Sequence, residues 1–321
     1  MNGAGNASAR GAEWLLGRLE PDGSLRGATT LAAYYKAPCA LLWSGHREAA
    51  MRVLSFVSDR FLLASGDLSG AGVPWFDQYR IYPHAWLCLA AAEAGDMQLS
   101  NQLVRFLLSH RNGDSGGFRA RADGSEEIMT TSMAGLACLR TGLGSIAEGV
   151  VRWLDQMMAL QPDLQKGLYH VWRPQDGLLF GDGSAAYMVD TSKPRQWYFL
   201  YGISAAFLTA YARTTGDPHA LDLGKRYLHA SAYCANDRYR TPQSGKLGWG
   251  AAWMYLRTND AKDAAIVHAV VDGLRALQCG DGTWNAQGVY EANPTAEDDS
   301  HFDVTAEFVA LLAQMGAVDR V

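Results

Sequence analysis

Residues 298–303 read Asp-Asp-Ser-His-Phe-Asp, three carboxylates and an imidazole within six positions. Carboxylates this close repel one another, so at least one is pushed upward in pKa, which is how a general acid stays protonated near neutral pH. Asp299, His301 and Asp303 are therefore candidate catalytic groups. The plain structural role of the same residues is an N-cap with favourable charge at a helix dipole. A second group lies in WFDQYRIYPHAW (75–86), where Asp77, Tyr79, Tyr82 and His84 surround the start of a helix with Pro83 in its first turn. Asp77 and His84 supply an acid and an imidazole for proton transfer, and Tyr79 and Tyr82 supply phenols for substrate contact. A third, in 180–202, sets Lys193 and Arg195 just ahead of Trp197, Tyr198 and Tyr201. Positive charge at a helix N-terminus opposes the dipole, so Arg195 is suited to a substrate anion or to a nearby carboxylate. Trp249 and Trp253 are four apart and share a helix face. With Trp197 and Tyr198 they would offer aromatic faces to a carbocation or to a sugar ring.

The elements that must position these residues alternate. Stretches near 8–18, 46–62, 98–110, 146–160, 218–234 and 261–278 carry Leu and Val at spacings of three and four with charges between, the pattern of a helix with one wet face. Stretches near 29–44, 78–94, 126–141, 195–214, 245–257 and 301–315 are rich in Ala, Gly, Ser and aromatics on nearly every face, which suits helices surrounded by other helices. Six such pairs at a period near fifty residues predict an all-α (α/α)6 barrel, with 1–321 as one domain. An open solenoid of helix pairs predicts the same local signals. No β-branched alternation of strand length interrupts the pattern. In a closed ring the inner helices run the same way, so their N-termini and the long loops before them converge on one mouth.

Composition narrows the function classes. The chain has 321 residues, a net charge of −5 and 48% hydrophobic residues, with no block of Lys or Arg longer than a pair. That pattern excludes a nucleic-acid footprint. No run approaches 18 apolar residues and the N-terminus has no signal-like apolar region, so no membrane span and a cytoplasmic protein are expected. Cys39, Cys88, Cys138, Cys234 and Cys279 lie far apart among mostly apolar neighbours and read as buried thiols. No metal and no cofactor are expected, and the expected partner is a small-molecule substrate.

Short turns recur at helix ends: RLEPDGS (18–24), RNGDSGGF (111–118) and QCGDGTW (278–284). In the last, the glycines can end the helix in a left-handed turn, Asp281 can bond its own turn, and Trp284 can fold back over the helix while Gln278 bonds nearby backbone. QCGDGTW resembles the Q-x-x-x-G-x-W motif of the terpenoid cyclase and protein prenyltransferase toroids, as does the repeat in 111–142, with 20–35 a weaker copy. That resemblance implies acid-initiated cyclisation or rearrangement of a small apolar metabolite, terpenoid or polyketide-like, in an aromatic-lined cavity. YARTTGDPHALDLGKRYL (211–228) is similar to hairpins of six-barrel sugar enzymes, which implies a hydrolase, lyase or epimerase acting on a uronate or oligosaccharide. A non-catalytic toroid that binds a partner at its mouth is the third reading. The chain departs from the cyclase motif Asp-x-Asp-Asp, since Ala296-Glu297-Asp298-Asp299 lacks the first aspartate. It has no Asp-x-Cys pair for prenyltransferase-type zinc and no Cys-His neighbours.

Overall fold

A computed structural model describes residues 3–285 and 297–318, with the side chains of Glu297 and Asp298 outside the description. Twelve helices follow one another among these residues: α1 (Gly3–Arg18), α2 (Ala37–Trp43), α3 (Arg47–Arg60), α4 (Ile81–Ala94), α5 (Met97–Ser109), α6 (Ile128–Arg140), α7 (Gly144–Ala159), α8 (Phe199–Thr215), α9 (Pro218–Ala230), α10 (Gly245–Thr258), α11 (Ala261–Ala276) and α12 (Glu297–Met315). The odd-numbered helices form the outer layer. On α5, Leu99, Leu103, Val104 and Leu107 are buried on one stripe, and Asp96 caps the start by accepting from the Leu99 N–H at 3.0 Å. Asp217 and Asp260 cap α9 and α11 in the same way, accepting from His219 and Lys262.

The even-numbered helices form the inner ring. Each packs on the next, α2 on α4, α4 on α6, α6 on α8, α8 on α10 and α10 on α12, and α12 returns to α2. The ring is therefore closed, an (α/α)6 barrel. On α8 every residue from Leu200 to Ala212 is buried, as a helix surrounded by helices requires. Its Gly202 lies against α10 so closely that a Cβ there would sit 2.0 Å from the Lys246 carbonyl oxygen, and Gly250 meets Gly202 in return. Any side chain at either glycine would push α10 outward.

The recurring turns stitch the outer layer. Isolated antiparallel bridges join Leu19 to Leu25, Leu62 to Leu68, Arg111 to Phe118 and Gln278 to Trp284. The turn glycines then dock on the next outer helix: a Cβ on Gly116 would lie 2.5 Å from the Gly149 carbonyl oxygen of α7, and one on Gly282 would lie 2.7 Å from the Arg10 carbonyl oxygen of α1. Both have positive φ, where glycine is unstrained. At the last turn Trp284 is buried and donates to the Leu274 carbonyl at 2.7 Å, while Gln278 donates to the carbonyls of Gly282 and of Ala7. The expected staple is present, and it also closes the ring.

Two details differ from the sequence reading. The first inner element breaks into a single turn of 3-10 helix at Leu31–Ala33 and the short α2, because Pro38 is tolerated only in a first helical turn. The long connection 161–194 holds short strands where none was expected. They are β2 (Gly167–Tyr169), β3 (Val171–Arg173), β4 (Gly177–Leu178) and β5 (Met188–Asp190), after β1 (Glu126–Glu127). β1, β3 and β4 pair antiparallel in that order, and β2 pairs with β5. Strands this short give no readable alternation. Among the described residues no helix is long and apolar enough to cross a membrane.

Candidate active site at the N-terminal mouth

All six inner helices contribute to one cavity of about 200 Å³, five of them through or just before their first turns and α12 from its middle. Tyr35 and Lys36 come from the break before α2, and Trp75, Tyr79 and Tyr82 from the approach to α4 and its first turn. Met129 comes from α6, Trp197 and Phe199 from α8, Gln243 and Lys246 from α10, and Glu307 from α12. The convergence expected of a closed ring is thus found.

The walls are aromatic and the floor is charged. Lys36 and Lys246 are almost wholly buried, and both ammonium groups hydrogen-bond to Glu307, one to each carboxylate oxygen. Lys36 also pairs with buried Asp303 at 2.8 Å. The Lys36 ammonium lies 4.8 Å from the Tyr35 ring centre and the Lys246 ammonium 5.3 Å from that of Phe199. Burial alone would push the Glu307 carboxyl up, but the Lys246 and Lys36 charges on either side pull it down to about 2. Lys246 is the mirror case: burial favours loss of its proton, Glu307 opposes that, and the nearby Lys36 charge favours it again, leaving its pKa lowered. The asymmetry has a simple cause. Glu307 stands between two cations, whereas among the described residues the one carboxylate bonded to Lys246 is one that it shares.

Three carboxylates of α12, Asp299, Asp303 and Glu307, are spaced by four and form one stripe. Asp299, at its outer end, accepts from the backbone N–H of Thr29 at 3.0 Å and of Thr30 at 2.8 Å, and from both hydroxyls. It ties α12 to the turn before α2. Asp303 reaches the floor. His301 turns to the other side, edge-on to Trp14 of α1 at 5.3 Å between ring centres. Residues 286–296, which precede this cluster, lie outside the described residues.

In the second group Tyr79 and Tyr82 line the cavity, and burial raises the pKa of both phenols. Asp77 is exposed and pairs with Arg80 at 3.3 Å. His84 is fully buried on the outward face of α4, stacked on Phe106 at 4.3 Å, its Nδ1 donating to the Arg80 carbonyl at 2.9 Å and its Nε2 3.3 Å from Asp67. Of the third group only Trp197 lines the cavity. The Tyr198 hydroxyl donates to Asp237 at 2.7 Å, and the Arg195 backbone N–H, at a left-handed φ of 55°, donates to the same carboxylate at 2.7 Å. Together they anchor the segment that presents Trp197.

Trp249 and Trp253 follow Lys246 down α10 toward the far end. Trp249 is buried and packs on Trp86 and Trp43, at 6.1 and 5.8 Å between ring centres, forming a layer across the barrel. Trp253 lies beyond that layer in a wider depression of about 650 Å³ at the C-terminal ends of the inner helices. Trp43, Glu93, Arg140, Arg213, Arg257 and Gln314 also line this second mouth.

The sequence reading did not single out Lys36, Lys246 or Glu307. Each is a lone charge inside an otherwise apolar inner-helix stretch, YYKAPCA, SGKLGWG and TAEFVA. A charge in a helix expected to be buried on all faces needs a partner, and that was the available signal.

A scan against protein-family models finds no match for this chain, and a search of the curated proteins finds none either. Solved structures do match in fold. The chain is similar to the α-1,6-mannanase of Salegentibacter sp. HEL1_6, with a TM-score of 0.69 and 11% identity over 98% of this chain and 99% of that one. It is similar to a D-mannose isomerase, with a TM-score of 0.67 and 11% identity over 96% and 97%. It is also similar to a type II terpene cyclase from Scytonema in complex with merosterolic acid A, with a TM-score of 0.60 and 15% identity over 99% and 98%. All are (α/α)6 toroids, so the fold is shared with both groups that the sequence resembles.

Proposed function

We propose that the chain is a carbohydrate-active enzyme of the epimerase, isomerase or lyase kind, which takes one sugar-sized molecule into the N-terminal mouth and moves protons on it. The observation that carries this reading is the buried Lys36–Glu307–Lys246 floor, with Asp303 beside it, beneath aromatic walls. A floor of ammonium donors and carboxylate acceptors matches hydroxyl groups, which both donate and accept. Aromatic faces such as Trp197 and Trp75 suit the apolar face of a sugar ring. A volume of about 200 Å³ is below the roughly 300–1,000 Å³ usual for drug-sized ligands, so one ring is the natural occupant.

The same floor weighs against acid-initiated cyclisation. Such a reaction needs a protonated acid facing an apolar chain, and Glu307, drawn down to about 2, is an anion at any physiological pH. Four buried charges would also be costly to leave against hydrocarbon. Glycoside hydrolysis calls for two carboxyl groups flanking the scissile bond, one of them protonated. Asp303 and Glu307 instead share one helix face and one lysine. Lys36, held by both carboxylates, is suited to polarise a substrate oxygen, and Lys246, whose pKa is lowered by burial, is the more ready of the two to give up its proton.

Thermal-shift screening of neutral monosaccharides, uronates and polyprenyl compounds tests the reading, followed by ¹H NMR of any stabilising sugar in D₂O. The expected outcome is a raised Tm with a monosaccharide or uronate and loss of the proton signal beside its carbonyl. Stabilisation by polyprenyl compounds alone would return the cyclase reading to first place.

A further inference from the structure

The sequence holds 22 arginines and only six lysines, and two of those six lie side by side in the floor of the N-terminal mouth. For a buried ion pair arginine is the better cation, being permanently charged and able to bond a carboxylate with two parallel donors. Elsewhere this chain uses it so: Arg80 pairs with Asp67, Arg140 with Glu93 and Arg173 with Asp123. What lysine has and arginine lacks is an accessible neutral amine. Position 36, between Asp303 and Glu307, keeps its charge in balance. Position 246 is bonded to a single carboxylate among the described residues, lines the cavity and stands next to another ammonium, the setting in which lysines become nucleophiles.

We infer that Lys246 captures the carbonyl carbon of an open-chain sugar or other small hydroxy-aldehyde or hydroxy-ketone, forming an imine in the N-terminal mouth. This deepens the carbohydrate reading and rests on it for the substrate class. The steps balance as follows. The Lys246 ammonium releases one proton to solvent. Its nitrogen lone pair forms the C–N bond while the carbonyl π pair moves to oxygen, and that oxygen takes a proton from the attacking nitrogen. The Lys36 ammonium gives the hydroxyl a second proton, water leaves with the C–O bonding pair, and the nitrogen lone pair closes the C=N bond as a protonated imine. Solvent then restores the proton on Lys36. Glu307 remains an anion throughout, and Asp303 keeps its place beside Lys36. In the imine the neighbouring C–H bond is acidified, which links the capture to the proton transfers proposed above.

The test is reductive trapping of the full chain with D-glyceraldehyde and, separately, dihydroxyacetone, using sodium cyanoborohydride and peptide mapping by mass spectrometry. Lys166, Lys193, Lys225 and Lys262 lie outside the cavity and serve as internal references in the unmutated protein. The expected result is labelling of Lys246 at least tenfold faster than any of these four at pH 7. The Lys246 rate should rise with pH and level off below the free-lysine value of about 10.4. In Lys246→Arg the fast label disappears. Labelling of Lys246 no faster than the reference lysines overturns the inference. If sugars raise the Tm and Lys246 stays unlabelled, the imine is wrong and the carbohydrate reading stands. If Lys246 is labelled and no sugar binds, the imine stands and the substrate class is wrong.

Discussion

Both mouths of the barrel hold cationic side chains, for opposite reasons. At the C-terminal mouth Arg140, Arg213 and Arg257 lie at the carbonyl ends of inner helices, where the dipole favours cations, and all three are exposed. Folding explains them. At the N-terminal mouth Lys36 and Lys246 lie where the dipole disfavours cations, and they are buried. Their charge is tolerated only because Glu307 and Asp303 offset it, and a buried ion pair gains little over apolar packing. The fold gains little from that floor, and the proposed function gives it a use in chemistry on a substrate. The tryptophan layer of Trp43, Trp86 and Trp249 separates the two ends, so each can be altered alone.

The largest contrast is expected in activity. Lys246→Met should lower turnover by about 10²–10⁴-fold, the range for losing a positioned proton-transfer group, with the circular dichroism spectrum unchanged. Arg213→Ala and Arg257→Ala should leave turnover as it was. In stability, Glu307→Gln strands the buried Lys246 ammonium and leaves Lys36 with Asp303 alone, and should cost about 3–5 kcal/mol in urea unfolding. The pH dependence has a definite sign. Since Glu307 sits at about 2 in the folded chain and near 4.3 unfolded, its contribution is complete above that unfolded value and is lost as pH falls toward about 2. The stability gap between the native chain and Glu307→Gln should therefore close on acidification. Trp197→Ala should raise the Kd of a bound sugar by up to about tenfold, the upper end of an aromatic contact near 1.5 kcal/mol. The smallest effect belongs to the C-terminal mouth, where Arg257→Ala should shift stability by no more than about 0.5 kcal/mol.

Much of the fold was legible because its signals are local. Periodicity placed all twelve helices, and QCGDGTW specified a turn whose Trp284 and Gln278 do what that spacing suggests. The candidate site was legible where it depends on position along the barrel axis. Tyr79, Tyr82, Trp197 and Asp303 belong to the N-terminal ends of inner helices, and they gather there. It was not legible where it depends on the rotation of a helix about its own axis. His84 is two residues past Tyr82 and faces outward to Phe106, and His301 is two residues before Asp303 and turns to Trp14. Acidic clusters drew attention to 298–303, while Glu307, alone in TAEFVA, carries the floor. The informative signal was a solitary charge where the pattern demanded an apolar residue.

The most direct test of where the chemistry resides is a crystal structure with the sugar that raises the Tm most. The ring should occupy the N-terminal mouth, with its oxygens on Lys36, Lys246 and Glu307 and an aromatic wall against its apolar face. A sugar seated instead among Arg140, Arg213 and Arg257 at the opposite end would contradict the account.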